Sequence, residues 1–411
     1  MSKHFDALET RTADERKSAL ATRLPQQIAH AKTNTAYFAE SLKHVDAAAI
    51  TSTAALAALP VVRKSDLIEL QKTRRPFGGL AVSGWGRLGR VFSSPGPIYE
   101  PEGRVADYWR TARALYAAGF RAGDLVHNSF SYHMTPGAWI LEAGAAALGC
   151  TVFPAGVGQT EQQVAAMADL SPNGYVGTPS FLRILLEKAD ELGIKLPSVT
   201  KALVSGEAFL PPVRDALLAR GVVGYQAYAT AELGVIAYET EARQGLIVDE
   251  GVIVEIVRPG TGDPVAEGEV GEVVVTTFNS DYPLIRFATG DLSAVLAGVS
   301  PCGRTNMRIK GWMGRADQTT KVKGMFVHPE QVAAVVKRHP EIARARLVVT
   351  NPDSTDQMTL NWEAAASGVD LEKAIAETVR DVTKLRAEVK LVAPGSLPND
   401  GKVIEDARKY D

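Results

Sequence analysis

An apolar run followed directly by a glycine and an acid is the strongest candidate for a binding site in this chain. Residues 281–292 read Asp-Tyr-Pro-Leu-Ile-Arg-Phe-Ala-Thr-Gly-Asp-Leu, and Pro283 to Phe287 has the character of a strand. Gly290 permits a turn closed to other residues, and that turn would aim the Asp291 carboxylate off the strand end, where it could accept hydrogen bonds from sugar hydroxyls. On the Thr-Gly-Asp triplet alone, a hairpin turn with a solvated acid is the more common interpretation.

A second candidate lies where two predicted strands end. Val204-Ser205-Gly206-Glu207 leaves an apolar strand for a loop, and residues 225–232 do the same with Tyr228 and a terminal Glu232. Ligands of a parallel sheet bind beyond the carboxyl ends of its strands, so both loops could line one site. Each also has a plain structural interpretation, with Glu207 solvated and Glu232 favouring the dipole of a helix N-terminus.

Two further segments with lysines stand in the last quarter of the chain. Residues 310–317 read Lys-Gly-Trp-Met-Gly-Arg-Ala-Asp, and Lys321-Val-Lys323-Gly324 follows, where a glycine lets the backbone approach a ligand closely. Near the C-terminus stands Pro398-Asn-Asp-Gly-Lys402. A lysine there is a compact point charge on a flexible stem. Without the upstream segments it would be taken as a frayed terminal lysine.

In this order the segments resemble the motifs of the adenylate-forming enzymes, especially those of the phenylacetate–CoA ligase branch. The opening segment is similar to P-x-I-R-Y-x-T-G-D-L, and residues 225–232 are similar to Y-G-x-[ST]-E. Residues 314–330 resemble G-R-x-D…[KR]-G-x-x-[IV]-x-P, and residues 398–402 resemble P-[RK]-x-x-G-K, with Asn399 in place of the basic residue. The resemblance covers nearly the whole chain and implies ATP or AMP, Mg²⁺ and CoA as ligands.

Within that resemblance, Lys402 and Glu232 are the catalytic residues. Lys402 would neutralise the substrate carboxylate and the α-phosphate during adenylation. Glu232 would bind Mg²⁺ between the phosphates, which suits a hard cation held by one carboxylate and substrate oxygens. Asp317 would be the hinge about which the small domain swings, and Lys323 with Gly324 would form the hairpin on the CoA side.

The resemblance also implies a set of residues that contact the nucleotide, in which Asp291 would hold the ribose. Two positions depart from the family pattern: Ala229 stands where Gly is usual, and Ala231 where Ser or Thr is usual. Thr230 is the neighbouring hydroxyl that could substitute. The implied nucleotide-binding set is Ser205, Gly206, Glu207, Tyr228, Ala229, Thr230, Asp291 and Arg315.

The family's phosphate loop, roughly S-S-G-T-T-G-K-P, is degenerate in this chain. Residues 92–101 read Phe-Ser-Ser-Pro-Gly-Pro-Ile-Tyr-Glu-Pro, without the threonines or the lysine. Pro95 and Pro97 each remove a backbone N–H that would cradle a phosphate, and Glu100 adds negative charge. Either the outer phosphates bind elsewhere or adenylation is weak. The remaining loop candidates are Ser93, Ser94 and Gly96.

Composition excludes several classes of protein. The 411 residues are 45% hydrophobic and 22% charged with a net charge of −2, which argues against nucleic acid or an anionic membrane as the main partner. The N-terminus lacks an apolar signal core, so we expect a cytoplasmic protein. Cys302 lies in Ser-Pro-Cys-Gly-Arg, similar to the C-P-C-G-R of zinc-carrying relatives, but Ser300 replaces the first cysteine. With Cys150 elsewhere as the other cysteine, no zinc is expected.

Alternation of short apolar runs with helical patterns predicts an α/β fold. We expect a large N-terminal AMP-binding domain over 1–314, with helix-flanked, mostly parallel sheets and a β-rich subdomain at about 246–314. A small mobile α+β lid domain should occupy 315–411. Helices are predicted over 11–45 and 104–119 from the spacing of apolar residues.

The function implied by the resemblance is an ATP-dependent acid–CoA ligase that passes through an acyl-adenylate. An aryl or arylacetic acid is the implied substrate, with Tyr132 and His133 bordering its pocket, although a histidine satisfied within a loop is as common. Two alternatives stay open: a fold-retaining protein that binds nucleotide or acyl groups with little adenylation, and an adenylating enzyme that serves an amine or a carrier protein. A homodimer is also left open.

Overall fold

The computed structural model of the chain describes residues 3–258, 262–316, 318–352, 355–364, 369–398 and 403–408. The chain divides into two compact units, one of residues 1–209 and 213–313, the other of residues 210–212 and 314–411.

Helices and short strands alternate up to residue 238, and strands dominate from there to residue 309. The helices are α1 (Ala13–Asn34), α2 (Ala36–Ser41), α3 (Thr53–Ala57), α4 (Leu67–Thr73), α5 (Ala112–Ala117), α6 (Gly137–Ala147), α7 (Thr160–Leu170), α8 (Pro179–Glu191) and α9 (Pro211–Ala219). The strands are β1 (Val62–Arg63), β2 (Arg90–Ser94), β3 (Ile98–Glu102), β4 (Leu125–Asn128), β5 (Thr151–Phe153), β6 (Gly174–Gly177), β7 (Lys201–Val204), β8 (Val223–Thr230), β9 (Gly234–Tyr238), β10 (Leu246–Val248), β11 (Val252–Val257), β12 (Gly271–Thr277), β13 (Phe287–Ser293), β14 (Val295–Leu296) and β15 (Arg308–Ile309).

The main sheet has the order β14-β15-β10-β9-β8-β7-β6-β4-β5. Strands β4 to β8 pair in parallel, and the strands from β9 outward pair antiparallel. Successive residues of a strand face opposite sides of the sheet, so Leu203 packs with α5 and α6 while Ala202 and Val204 pack with α7, α8 and α9. Helices therefore cover both faces of the parallel part, and the predicted α/β fold class is confirmed.

A second sheet, of order β1-β13-β12-β11, carries the opening Thr-Gly-Asp motif. Strand β1 pairs in parallel with β13, and β11 and β12 add antiparallel. The apolar residues Leu24, Ile28 and Ala31 of α1 pack in one core with this sheet. The strands of residues 246–314 are thus divided between two sheets, because β10, β14 and β15 belong to the main one.

The N-terminal helical prediction holds with one interruption. Helix α1 begins at a capping box, in which Thr12 Oγ1 accepts from Glu15 N at 3.2 Å and Glu15 Oε2 accepts from Thr12 N at 2.8 Å. It ends before Thr35, whose backbone is extended. The Thr35 side chain accepts a hydrogen bond from Phe38 N and so caps the start of α2. Polar capping thus divides what the apolar spacing predicts as one helix.

The predicted helix over 104–119 is wrong for its first half. Asp107 and Arg110 adopt left-handed conformations, with φ of 49° and 61°, and the Asp107 carboxylate accepts from the N–H groups of Thr111 and Ala112. These bonds fix a turn, and the helix begins only at Ala112. The aromatic residues that suggested a helical stripe, such as Trp109, are buried in the core from this turn.

The second unit is an α+β fold with its own core. Its elements are β16 (Thr320–Val322), β17 (Met325–Val327), α10 (Pro329–Arg338), β18 (Arg344–Thr350), β19 (Gln357–Glu363), α11 (Val369–Thr383), β20 (Glu388–Val392) and β21 (Ile404–Asp406). Strands β20-β19-β18-β21 form one sheet, and β16 and β17 form a hairpin. Trp362, Val349 and Ile375 are fully buried in the core between this sheet and its helices.

A buried arginine supports the second sheet just before β13. Arg286 is 2% exposed, and its Nε lies 3.1 Å from Glu255 Oε2. Its two Nη atoms donate to the carbonyl oxygens of Ala57, Leu59 and Gly262 at 2.6–2.8 Å. The guanidinium therefore joins β11 to the loops around it.

Because removing one partner of a buried ion pair leaves an uncompensated charge, Arg286→Met should lower the free energy of unfolding by about 3–5 kcal/mol. Chemical denaturation followed by circular dichroism measures it. The matched control, Arg74→Met, breaks an exposed pair with Glu40 and should change stability by less than about 1 kcal/mol. Equal effects of the two variants would show that Arg286 has no special structural role.

Candidate functional site

Asp291 lies inside a strand, not in a turn beyond its end as the sequence suggested. Strand β13 runs through residues 287–293, and its pairing with β12 shifts between Ala288↔Val274 and Leu292↔Glu272. Three residues thus oppose one, which is a β-bulge. Gly290 occupies the bulge with φ of +76°, a conformation that favours glycine. The bulge turns the Asp291 carboxylate toward β8 of the main sheet.

The Asp291 carboxylate accepts hydrogen bonds from two aromatic side chains. Tyr228 Oη donates to Oδ2 at 2.8 Å, and the indole Nε1 of Trp312 donates to Oδ1 at 3.1 Å. Thr289 Oγ1 lies 3.2 Å from the same phenol oxygen and donates to the Val273 carbonyl at 3.1 Å. The structure therefore brings together Asp291 and Tyr228, two of the residues named from the sequence. Trp312 was missed, although it stands within the 310–317 segment.

Glu232 is fully buried next to a lysine that no motif indicated. Its side chain is 0% exposed, and Lys64 Nζ lies 2.8 Å from Oε1 as an ion pair without good hydrogen-bond alignment. Burial alone would raise the pKa of Glu232, but the positive charge of Lys64 is the largest of several effects that oppose it, and the pKa is lowered overall. Glu232 is therefore held as a carboxylate, and its Oε2 accepts no hydrogen bond from the residues that the structure describes.

A second buried acid, Glu100, faces the same cluster. It is 0% exposed on β3, and Ser94 Oγ donates to its Oε1. Burial, and then the negative charge of Glu232, raise the pKa of Glu100 to about 8. Both effects disfavour a second charge in the same low-dielectric region. At neutral pH the cluster therefore holds Glu232 as a carboxylate beside Lys64, and Glu100 as a neutral acid.

The degenerate phosphate loop is a tight hairpin. Strands β2 and β3 pair up to Ser94↔Ile98, which leaves only residues 95–97 in the turn. Two of these are prolines, so Gly96 supplies the one backbone N–H of the turn. Ser94 donates its hydroxyl to Glu100, and the Ser93 N–H donates to the Met134 carbonyl at 2.9 Å. The serine donors named from the sequence are engaged within the protein.

The loops at the strand ends hold other residues that the resemblance assigned to the nucleotide. Ser205 Oγ donates to the Ala227 carbonyl at 2.8 Å, and exposed Gly206 has φ of +84°. Glu207 Oε1 accepts from Ser180 N at 2.7 Å, at the start of α8. The Ser205 side chain thus bonds its neighbouring strand, while Glu207 bonds the start of a helix.

Ala229 and Thr230 lie where β8 leaves its partner β9. The pairing of the two strands shifts between Tyr228 and Ala229. Thr230 Oγ1 accepts from Leu233 N at 3.3 Å. The threonine hydroxyl is therefore used to shape the turn that carries Glu232.

Tyr132 and His133, which the resemblance placed at the acyl pocket, differ in their surroundings. Tyr132 Oη donates to Glu142 Oε2 at 2.5 Å and accepts from Asn128 Nδ2 at 2.9 Å. Its ring meets Trp139 edge-on at 5.1 Å, whereas His133 is exposed. Burial, followed by Glu142, raises the pKa of the Tyr132 phenol, so its hydroxyl is a fixed neutral group.

In the second unit, Lys323 and Gly324 form the tip of the β16–β17 hairpin. Both have positive φ, 48° and 84°, and Lys323 N donates to Asp356 Oδ2 at 2.9 Å. Arg315 lies directly after Gly314, whose φ is +124°. Asp317 and Lys402, the predicted hinge and catalytic lysine, lie outside the described residues.

Among the described residues, no group of three or more His, Cys, Asp or Glu side chains could hold a metal ion. Around Cys302, Ser300 Oγ donates to Sγ at 3.0 Å, and Arg304 pairs with Glu9 at 2.6 Å. This buried ion pair connects the segment to the N-terminus. In the same described part of the chain, no helix combines the length and apolarity that a membrane crossing needs.

Comparison with known proteins gives consistent matches along the chain. Residues 106–279 match the AMP-binding enzyme family, and residues 324–408 match the AMP-binding enzyme C-terminal domain. A phenylacetate–coenzyme A ligase of Thermus thermophilus is 30% identical over 98% of this chain and 99% of its own length. One of Escherichia coli is 27% identical over 97% and 96%.

A solved structure gives the same result. The 2-hydroxyisobutyryl-CoA ligase, in complex with 2-HIB-AMP and CoA, superposes with a TM-score of 0.82 at 27% identity. The match covers 100% of this chain and 93% of that one.

Because Glu100 is buried with a pKa of about 8 against an ordinary 4.5, its contribution to stability should depend on pH. Below about pH 4.5 the folded and unfolded states both hold the proton. Between there and pH 8 only the folded state keeps it, so stability is lost as pH rises. Glu100→Gln should therefore gain stability relative to the parent by up to about 1.4 kcal/mol per pH unit over this window.

Denaturant unfolding at pH 5, 6.5 and 8 measures the difference. The control is Glu69→Gln, at a side chain that is 73% exposed, and its pH profile should run parallel to that of the parent. A parallel profile for Glu100→Gln as well would show that Glu100 is ionised throughout.

Proposed function

Because the chain belongs to the AMP-binding enzyme family, in its phenylacetate–CoA ligase-like branch, we propose that it is an ATP-dependent ligase that joins a carboxylic acid to CoA. The observation that carries this proposal is the Asp291 carboxylate, fixed on a bulge between Tyr228 and Trp312. A carboxylate accepts hydrogen bonds and is the kind of group that can hold the hydroxyls of a ribose.

The proposed reaction has two steps. A carboxylate oxygen of the acid attacks the α-phosphorus of MgATP, and pyrophosphate leaves to give acyl-AMP. The CoA thiol, having lost its proton, then attacks the acyl carbon, and AMP leaves to give the thioester. Lys402 is proposed to neutralise charge in the first step, Asp317 to be the hinge, and Lys323 with Gly324 to meet CoA in the second.

Glu232 is the proposed ligand of the Mg²⁺ that enters with ATP. Its Oε2 is a buried anionic oxygen without a hydrogen-bond donor among the described residues. Mg²⁺ commonly takes one or two carboxylates together with substrate phosphates, so this donor fits the ion. The protein's part is to keep Glu232 ionised, which Lys64 does by lowering its pKa despite burial.

The proposed acid is an aryl or arylacetic acid. This choice is supported by the relatives, which are phenylacetate–CoA ligases that are 30% identical to this chain. The 2-hydroxyisobutyryl-CoA ligase shares 27% identity and takes a small hydroxy acid, so short branched acids belong in the same test.

A second function is favoured by one feature, the β2–β3 hairpin. Its turn offers a single backbone N–H, and a buried acid lies on β3 beside it. A loop of this kind cannot cradle phosphates with successive N–H groups as a glycine-rich loop does. The alternative is therefore a protein that binds AMP or acyl-AMP while adenylating slowly.

Carboxylate-dependent exchange of pyrophosphate into ATP, measured over a panel of aryl, arylacetic and short branched acids, separates these functions. A ligase should give exchange with at least one acid, and the same acid should give a CoA thioester. Binding of AMP without exchange on any acid would contradict the ligase proposal and favour the second function. Exchange without thioester would point to an amine or a carrier protein as the acceptor.

Lys402→Ala should reduce the exchange rate by about 10²–10³-fold, because it removes a positive group from the developing charge. The matched control is Lys390→Ala, at an exposed lysine on β20, which should leave the rate unchanged. Undiminished exchange in Lys402→Ala would refute the role of this lysine.

A further inference from the structure

In the cluster of Glu232, Lys64 and Glu100, the lysine is the member that solvent reaches. The side chain of Glu232 and the whole of Glu100 are 0% exposed, whereas the Lys64 side chain is 24% exposed. Its Nζ lies 2.8 Å from Glu232 Oε1, in an ion pair without good hydrogen-bond alignment. Because an ammonium carries three N–H donors, this contact leaves donors for an acceptor that enters from the solvent side.

The second sheet places Lys64 near the strand segment that carries the candidate ribose acid. Strand β1 ends at Arg63, which pairs in parallel with Ala288 of β13. Lys64 follows directly, at the end of this pairing toward which β13 continues to Asp291. Its ammonium there meets Glu232, on the turn after β8 of the main sheet. Lys64 therefore connects the sheet that carries Asp291 to the turn that carries the proposed Mg²⁺ ligand.

A buried glutamine fixes the segment that begins at Lys64 to the β2–β3 hairpin. Helix α4 follows Lys64 in the chain, and its Gln71 is 5% exposed. Gln71 Nε2 donates to the Tyr99 carbonyl at 2.8 Å, and Gln71 Oε1 accepts from Tyr99 N at 2.8 Å. Tyr99 directly precedes Glu100 on β3. The lysine is thus carried by a segment that is fastened to the hairpin whose turn offers a single backbone N–H.

We propose that Lys64 contacts the outer phosphates of ATP and supplies the positive charge that the β2–β3 turn lacks. This inference rests on the proposed function. Residues 95–97 of the turn include no lysine or arginine, and the ionised Glu232 would repel a triphosphate. A lysine binds phosphate as a compact point charge, so Lys64 would offset this repulsion and stabilise pyrophosphate as it leaves. Its contribution should appear with ATP and not with AMP, which has no outer phosphates.

The first test is the affinity for ATP and for AMP, measured by calorimetry on the full chain with Mg²⁺ and without a carboxylic acid. Lys64→Gln should weaken ATP binding by about tenfold or more, the effect of losing a hydrogen bond between charged groups, and leave AMP binding within about twofold. Lys64→Arg keeps the charge, so its ATP affinity should lie closer to the parent. The matched control is Lys72→Gln, at a 61% exposed side chain of α4, which should change neither affinity.

A second test separates contact with the phosphates from an indirect effect through Glu232. In an ATP derivative that carries an acyl group on its γ-phosphate, the deprotonated amine of a nearby lysine attacks the acyl carbon. An amide forms and ATP leaves. Mass spectrometry of the parent protein should find the acyl group on Lys64, and an excess of ATP should prevent this labelling. Lys72 should stay unlabelled.

Equal weakening of ATP and AMP by Lys64→Gln would overturn the inference, because a lysine that only supports the fold would act in this way. Unchanged ATP affinity, or acylation of other lysines without Lys64, would also overturn it. If Lys64→Gln fails to fold, the labelling of the parent protein still decides. A parent that binds AMP but not ATP would overturn the inference and favour the second function, whereas a parent that binds neither nucleotide would contradict the proposed function itself.

Discussion

A side chain can leave the plane of a β-ladder only where the backbone breaks the regular pairing, and Gly290 provides that break here. Its positive φ lets three residues of β13 oppose one of β12. Asp291 is thereby turned toward Tyr228 of the main sheet. Arg286, directly before β13, stabilises the same sheet through an ion pair with Glu255 and hydrogen bonds to three carbonyl groups. The candidate ribose site depends on this local irregularity more than on any single contact.

The neighbouring cluster of Glu232, Lys64 and Glu100 contains few charges. Two buried acids share it with one lysine, and low dielectric permits only as many charges as have partners. Lys64 keeps Glu232 ionised, while the proton stays on Glu100. The neutral Glu100 is in turn connected to the short β2–β3 hairpin, because Ser94 of β2 donates its hydroxyl to Glu100. The degenerate loop and the buried acid are therefore linked by this hydrogen bond. Both lie in the segment that would bind the outer phosphates of ATP.

The sequence predicted the parallel sheet well, because strands such as Lys201–Val204 alternate with helices of clear apolar periodicity. It failed at Asp107 and Arg110, where side-chain capping of the backbone overrides helical spacing. It placed Asp291 in a turn because a bulge is defined by the partner strand, which a single segment does not reveal. The sequence did not indicate Lys64 or Trp312 because their roles arise from long-range contacts. Trp312 stands two residues before the motif that begins at Gly314 and Arg315.

The central claim is that Asp291, set on its bulge, receives the ribose of an adenine nucleotide. The most direct measurement is a crystal structure of the protein with AMP bound. We expect the ribose hydroxyl oxygens to lie about 2.5–3.0 Å from the Asp291 carboxylate oxygens, with the Tyr228 and Trp312 bonds retained. AMP bound with its ribose away from Asp291, or a carboxylate that leaves both donors when AMP binds, would contradict the account.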